Sequence, residues 1–119
     1  MKQFLTLKDL PNLDDAVIDS IELKKNPFQF EALGKKKTLG MLFFNPSLRT
    51  RLSTQKAAHY LGIHNMIMNF SNEAWALEFD DGTQMSGLRS EHIKEAAAVV
   101  SQYCDIIAIR AFASLNDKE

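Results

Sequence analysis

The sequence predicts an α/β fold, a doubly wound parallel sheet in three layers (α/β/α). Three short apolar runs, at 37–45, 65–70 and 104–110, read as strands, and segments of helical spacing lie between them. The first run is continuously apolar rather than alternating, the pattern of a strand covered on both faces. Strand, helix and strand thus follow in the order that builds right-handed parallel crossovers.

"NLDDAVIDSIELKKN" (12–26) places Leu13, Val17 and Ile21 at helical spacing behind an acidic first turn, with Lys24 and Lys25 at the far end, as the helix dipole favours. The basic run "GKKKT" (34–38) reads as a solvated turn; it lies before the strand, where a phosphate-cradling loop of the Gly-Lys type would follow one. "KTLGMLFFN" then supplies the first strand, over 38–45, with Gly40 its weakest position. From Ser47, "SLRTRLSTQKAAHYLG" carries Leu48, Leu52, Ala57 and Leu61 on a helical repeat and ends in Gly62, a C-terminal cap. "NMIMNF" (65–70) is the second strand.

The segment 71–90, rich in Ser, Asn, Asp and Gly, shows no sustained period and reads as a long loop, with Glu73, Glu78, Asp80 and Asp81 on a solvated surface. Ser90 is placed to N-cap the next helix, "EHIKEAAAVVSQY", and "CDIIAIR" supplies a third buried strand ending in Arg110.

Composition excludes several classes of function. A length of 119 residues and 45% hydrophobic content fit one globular unit. Fourteen basic residues nearly cancel fifteen acidic ones, and a net charge of −1 gives no global attraction to nucleic acid or anionic lipid. Any anion site must be local. Cys104 has no partner in the chain, which excludes an internal disulfide and suggests a buried thiol in a reducing compartment. "MKQFLTLKDL" lacks the apolar core of a signal peptide and no stretch reaches the length of a membrane span, so the expected location is cytoplasmic. His59, His64 and His92 show no metal-ligand spacing and receive no role, and the methionines are read as core.

The chemistry concentrates in "FFNPSLRTRLS" (43–53), where an apolar strand runs straight into two arginines. These residues open a helix, whose unpaired N–H groups and dipole favour an anion. Ser47 and Thr50 add hydroxyls, and Arg49 adds a planar fork that can grip two phosphate oxygens at once. Each charged hydrogen bond contributes about 1.5–3 kcal/mol and the helix terminus about 0.3–2 kcal/mol, enough to hold a phosphate-bearing metabolite. Arg51, two residues further along the helix, points elsewhere and is read as pairing with a carboxylate. The motif lies at the carboxyl end of a parallel strand, where ligands of open α/β sheets bind, and Arg110 ends another. An isolated S-x-R-T-R string would be read as an N-cap with solvated arginines; this position favours phosphate.

"FFNPSLRTR" closely resembles the carbamoyl phosphate motif of the aspartate and ornithine carbamoyltransferases, and "YCDIIAIR" resembles that family's later strand ending in arginine. The resemblance spans the chain from its first helix through Arg110. Trp75, in "SNEAWALEF", stands where the aspartate branch offers serine and lysine, which makes the chain most similar to the N-acetylornithine and N-succinylornithine carbamoyltransferases. The resemblance implies that Ser47, Arg49, Thr50 and the Leu48 N–H hold the phosphate of carbamoyl phosphate, and that Arg110 contacts its carbamoyl group and phosphate. It implies a homotrimer in which Trp75 reaches into an adjacent subunit's site, and a role in arginine biosynthesis without metal or cofactor. Arg49 and Arg110 are the expected catalytic residues. The implied acceptor is the δ-amine of an Nα-acylated ornithine; Ser90, at the position where the two acyl branches differ, matches neither branch, so acetyl and succinyl both stay open.

Family members run to well over twice this length, with a second domain for the amino acid and an H-P-x-Q segment that completes the carbamoyl phosphate pocket. Residues 1–119 are therefore expected to be a truncated carbamoyl phosphate-binding domain, inactive alone, its domain-facing surface exposed. Two alternatives stand beside this reading: an ordinary ornithine or aspartate carbamoyltransferase, and a noncatalytic anion-binding or interaction module on the same scaffold.

Overall fold

The computed structural model describes residues 3–70, 76–82 and 91–112. The expectations for Trp75, for Ser90 and for most of the loop 71–89 lie outside the described residues. The elements run α1 (Leu13–Lys25), β1 (Thr38–Phe43), α2 (Leu48–Tyr60), β2 (His64–Asn69), β3 (Leu77–Glu78), β4 (Glu91–His92), α3 (Ile93–Tyr103) and β5 (Ile106–Arg110), with short 3-10 turns at Leu7–Asp9 and Glu31–Gly34.

A three-stranded parallel sheet has the order β2-β1-β5. In register, Thr38 lies beside His64, and Phe43 lies between Asn69 and Arg110. As the central strand, β1 is buried along almost its whole length, as its unbroken apolar run predicts. It also sorts the core. Leu39, Met41 and Phe43 pack with Ala58 of α2, whereas Leu42 packs with Ala96 and Val100 of α3. Alternate residues of a strand point to opposite faces, so one helix covers each side of the sheet. The two phenylalanines of the motif divide in the same way. Phe43 joins the α2 cluster, and Phe44 packs with the α3 cluster, stacked on Phe70 with ring centroids 5.1 Å apart.

The first strand ends at Phe43 rather than at residue 45, because Phe44 to Ser47 turn the chain into α2. The third strand is not the buried element that its composition predicts: Ile106, Ile107 and Ile109 of β5 are exposed, because β5 is an edge strand among the described residues. Cys104 is half-buried against the α3 cluster rather than enclosed. The long loop contains β3, which pairs in parallel with β4. Its Glu78 is buried rather than solvated, because its carboxylate accepts from the Phe79 and Asp80 N–H groups at 2.8 and 3.1 Å. The cap of α3 is His92, whose Nδ1 accepts from Lys94 N–H at 3.2 Å.

Gly62 has φ +71°, the left-handed conformation that stops α2 and begins the path into β2. The apolar side of α1 (Leu13, Val17, Ile21) stays about half exposed, so among the described residues this helix has no buried face. No helix among the described residues is long and apolar enough to cross a membrane.

The amino ends of the strands are clamped. Asp105 accepts from Lys37 Nζ and from Thr38 N–H, both at 2.9 Å, while its own N–H donates to Thr38 O at 3.0 Å. The Lys37 hydrogen bond first, and the Thr38 N–H second, hold the Asp105 carboxyl below its usual range. With the folded-state value depressed, this stabilisation is complete above the unfolded carboxylate value, about 4, and is lost as pH falls through the folded value. Asp105→Asn is expected to lower the thermal midpoint at pH 7, and the gap to the wild type should close in acid. A gap that does not change with pH would remove the charge from the account.

Gly40 marks a close approach of β1 to the end of α3: a Cβ there would lie 2.6 Å from Cys104 Sγ. Gly40→Ala should cost about 1–3 kcal/mol in urea unfolding. The cost should shrink on a Cys104→Ala background, a non-additivity that identifies the contact.

Candidate functional site

The candidate site lies at the carboxyl end of β1, where the chain enters α2. Ser47 has extended backbone angles (φ −160°, ψ 109°), and its Oγ accepts from Thr50 N–H at 3.3 Å, so it is a true N-cap. The Ser47 hydroxyl also donates to Thr50 Oγ1 at 3.0 Å. The cap leaves the Leu48 and Arg49 N–H groups in the first turn, where a helix provides no carbonyl partner.

Arg110 arrives from the neighbouring strand. Parallel pairing of β5 with β1 sets it beside Phe43, and its carbonyl accepts from Phe44 N–H at 2.9 Å. Its guanidinium Nη1 donates to Thr50 Oγ1 at 3.2 Å, a contact across 60 positions of sequence. Thr50 Oγ1 thus accepts from both Ser47 and Arg110, and its own proton is left to donate to a ligand. Arg110 Nε is buried and has no hydrogen-bond partner among the described residues. Below this network lies a cavity of about 40 Å³ lined by Phe43, Thr50, Thr54 and Arg110 among others. The larger cavities of the described residues lie elsewhere, against α3 and beside the Lys35–Lys36 turn.

Of the residues singled out from sequence, the structure brings together Ser47, Thr50 and Arg110. Leu48 and Arg49 occupy the same helical turn and are exposed; the Arg49 side chain makes no hydrogen bond or ion pair among the described residues, and Trp75 lies outside them. Arg51 is exposed, and the carboxylate partner expected for it is not found among the described residues. His59 packs edge-on against Phe28 with ring centroids 5.4 Å apart. No group of three His, Cys, Asp or Glu side chains among the described residues is arranged to hold a metal.

The structure adds two residues to the neighbourhood. Asn45 Oδ1 accepts from Phe112 N–H at 2.7 Å, and the Phe112 ring centroid lies 4.5 Å from the Arg110 guanidinium carbon. Asparagine before proline signals a turn, but a partner 67 positions away leaves no local trace in sequence.

The arrangement offers an anion two free backbone N–H groups, a hydroxyl proton and guanidinium donors that no carboxylate among the described residues neutralises. The family model for the aspartate/ornithine carbamoyltransferase carbamoyl-P binding domain matches residues 2–119. The chain belongs to this family.

Among its relatives, the N-succinylornithine carbamoyltransferase of Bacteroides fragilis (strain 638R) is 46% identical over 119 residues, which are all of this chain and 37% of that protein. The N-acetylornithine carbamoyltransferase of Xanthomonas campestris pv. campestris is 39% identical over 119 residues, covering 98% of this chain and 34% of the relative. In structure, acetylornithine transcarbamylase complexed with acetylcitrulline matches with a TM-score of 0.72 at 38% identity, over 96% of this chain and 34% of that one. A point variant of N-acetyl-L-ornithine transcarbamylase, complexed with carbamyl phosphate and N-succinyl-L-norvaline, matches with a TM-score of 0.73 at 39% identity over the same shares. The chain thus spans about a third of the length of these carbamoyl-P binding family members.

The N-cap can be tested by itself. Ser47→Ala removes both the bond from Thr50 N–H and the bond to Thr50 Oγ1, and should lower unfolding stability by about 0.5–2 kcal/mol. Ser47→Asp, which retains an acceptor, should recover most of that loss.

Proposed function

We propose that this chain is the carbamoyl phosphate-binding part of a carbamoyltransferase whose acceptor is the δ-amine of an Nα-acylated ornithine. The observation that carries the proposal is the Arg110–Thr50–Ser47 chain of hydrogen bonds across the N-terminus of α2, in a domain of this family. In this reading the Leu48 and Arg49 N–H groups, the Thr50 hydroxyl and the Arg49 fork hold the phosphate. Arg110 contacts the carbamoyl oxygen and the phosphate. The rest of the acceptor site, the homotrimer and the reach of Trp75 into a neighbouring subunit belong to the proposal.

In the reaction, the amine nitrogen bonds to the carbamoyl carbon and passes through a tetrahedral intermediate. The carbon–oxygen bond to phosphate then breaks, releasing inorganic phosphate and one proton from the amine. Negative charge grows on the carbamoyl oxygen and then on the bridging oxygen. Guanidinium groups already in place stabilise both without reorganising. Arg49 and Arg110 therefore act as catalytic residues and not only as anchors.

Higher identity to N-succinylornithine than to N-acetylornithine carbamoyltransferases, 46% against 39%, favours a succinylated acceptor. The chain alone is expected to bind carbamoyl phosphate without turning it over.

Carbamoyl phosphate should raise the thermal midpoint of the chain. Arg49→Ala and Arg110→Ala should each weaken its binding roughly ten- to hundredfold, the loss of one charged hydrogen bond. Equal shifts in the wild type and both variants would remove the arginines from the site. In a protein carrying this domain at its relatives' length, citrulline formation from free ornithine would overturn the acylated acceptor.

A further inference from the structure

Beyond Phe43 and Arg110 the two strands stop pairing in register, yet their chains do not separate. Phe44 N–H donates to Arg110 O at 2.9 Å, and then a side chain takes over from the backbone: Asn45 Oδ1 accepts from Phe112 N–H at 2.7 Å. The carboxamide thus adds one more rung where the sheet has ended. It holds the segment after β5 against the turn that leads into Ser47.

Its effect falls on Arg110. Tying down the Phe112 backbone keeps the ring close to the guanidinium, its centroid 4.5 Å from Cζ. This ring is 64% exposed and belongs to neither core cluster, so burial does not account for its position. The guanidinium does: a cation against an aromatic face is attracted by the ring quadrupole. Arg110 is therefore held from two sides, by Thr50 Oγ1 at 3.2 Å and by the Phe112 ring. An arginine side chain free at both would sample many rotamers and lose binding energy when a ligand ordered it.

We propose that Asn45 is a positioning residue, which through the Phe112 backbone and ring fixes the Arg110 guanidinium in the arrangement that receives carbamoyl phosphate. The ligand part rests on the function proposed above; the positioning part stands on geometry alone.

The test reads the Arg110 Nε–H signal in proton–nitrogen spectra of the 119-residue chain, assigned by its loss in Arg110→Lys. In the wild type this signal should exchange with water more slowly than those of the exposed Arg49 and Arg51. Asn45→Ala and Phe112→Leu should both bring it to their rate, and Phe112→Tyr, which keeps a ring, should restore it. A merely structural Asn45 would lower stability without touching this one signal. An Arg110 signal unchanged in Asn45→Ala overturns the proposal. If Asn45→Ala does not fold, Phe112→Leu decides alone, its exposed ring being tolerant of change, and an unchanged signal there overturns the proposal equally.

In parallel, carbamoyl phosphate affinity should fall roughly two- to tenfold in Asn45→Ala and Phe112→Leu, with Phe112→Tyr near the wild type. Wild-type protein that shows the protected signal but binds no carbamoyl phosphate would sink the proposed function and leave the Asn45 relay standing. Affinity that falls without any change in the signal would sink the relay and leave the function.

Discussion

The parallel pairing of β1 with β5 is the constraint on which the site depends. It brings Arg110 to the end of the strand that feeds α2, with its carbonyl bonded to Phe44 N–H and its guanidinium bonded to Thr50. Neither partner can do this locally, since sixty positions separate the arginine from the threonine. The sheet converts that separation into a hydrogen bond. A helix N-terminus by itself binds anions weakly and without discrimination; a guanidinium placed across it adds charge and direction together.

The same pairing explains how residues that look redundant divide their work. Phe43 and Phe44 pack on opposite sides of the sheet, one toward α2 and one toward α3. The strand end is thus fixed from both faces just before the chain turns. Ser47 then closes the first turn of α2 onto Thr50 by two bonds. Arg49 stays solvated in the same turn.

The sequence revealed those features whose physical cause is local. The strand around 38–43 was legible because a central strand is covered on both faces and so reads as one apolar run. The α2 helix was legible from its cap, its repeat and Gly62, and the grouping of Ser47 with Thr50 from two hydroxyls placed at a strand-to-helix junction. What stayed hidden depends on distant partners. The isoleucines of β5 are as apolar as β1 but form an edge, and composition says that a strand exists without saying what lies beside it. Glu78 reads as a surface carboxylate because sequence does not show two backbone N–H groups turned toward it. His92 caps α3 through a ring nitrogen that lies outside the usual set of capping side chains. Asn45 looked like a turn residue, which it is, and its bond to Phe112 required the folded sheet.

The clamp at Asp105 lies at the opposite end of the strands from the arginine, yet the two are joined by geometry. A five-residue strand such as β5 has little of its own to resist sliding, and a shift of one position reverses the face to which every side chain points. Ile109 would then stand in the place of Arg110, and an oily branch would meet the mouth of α2 where a cation now sits. By anchoring the position just before the run, a single carboxylate decides which chemistry emerges at its last residue.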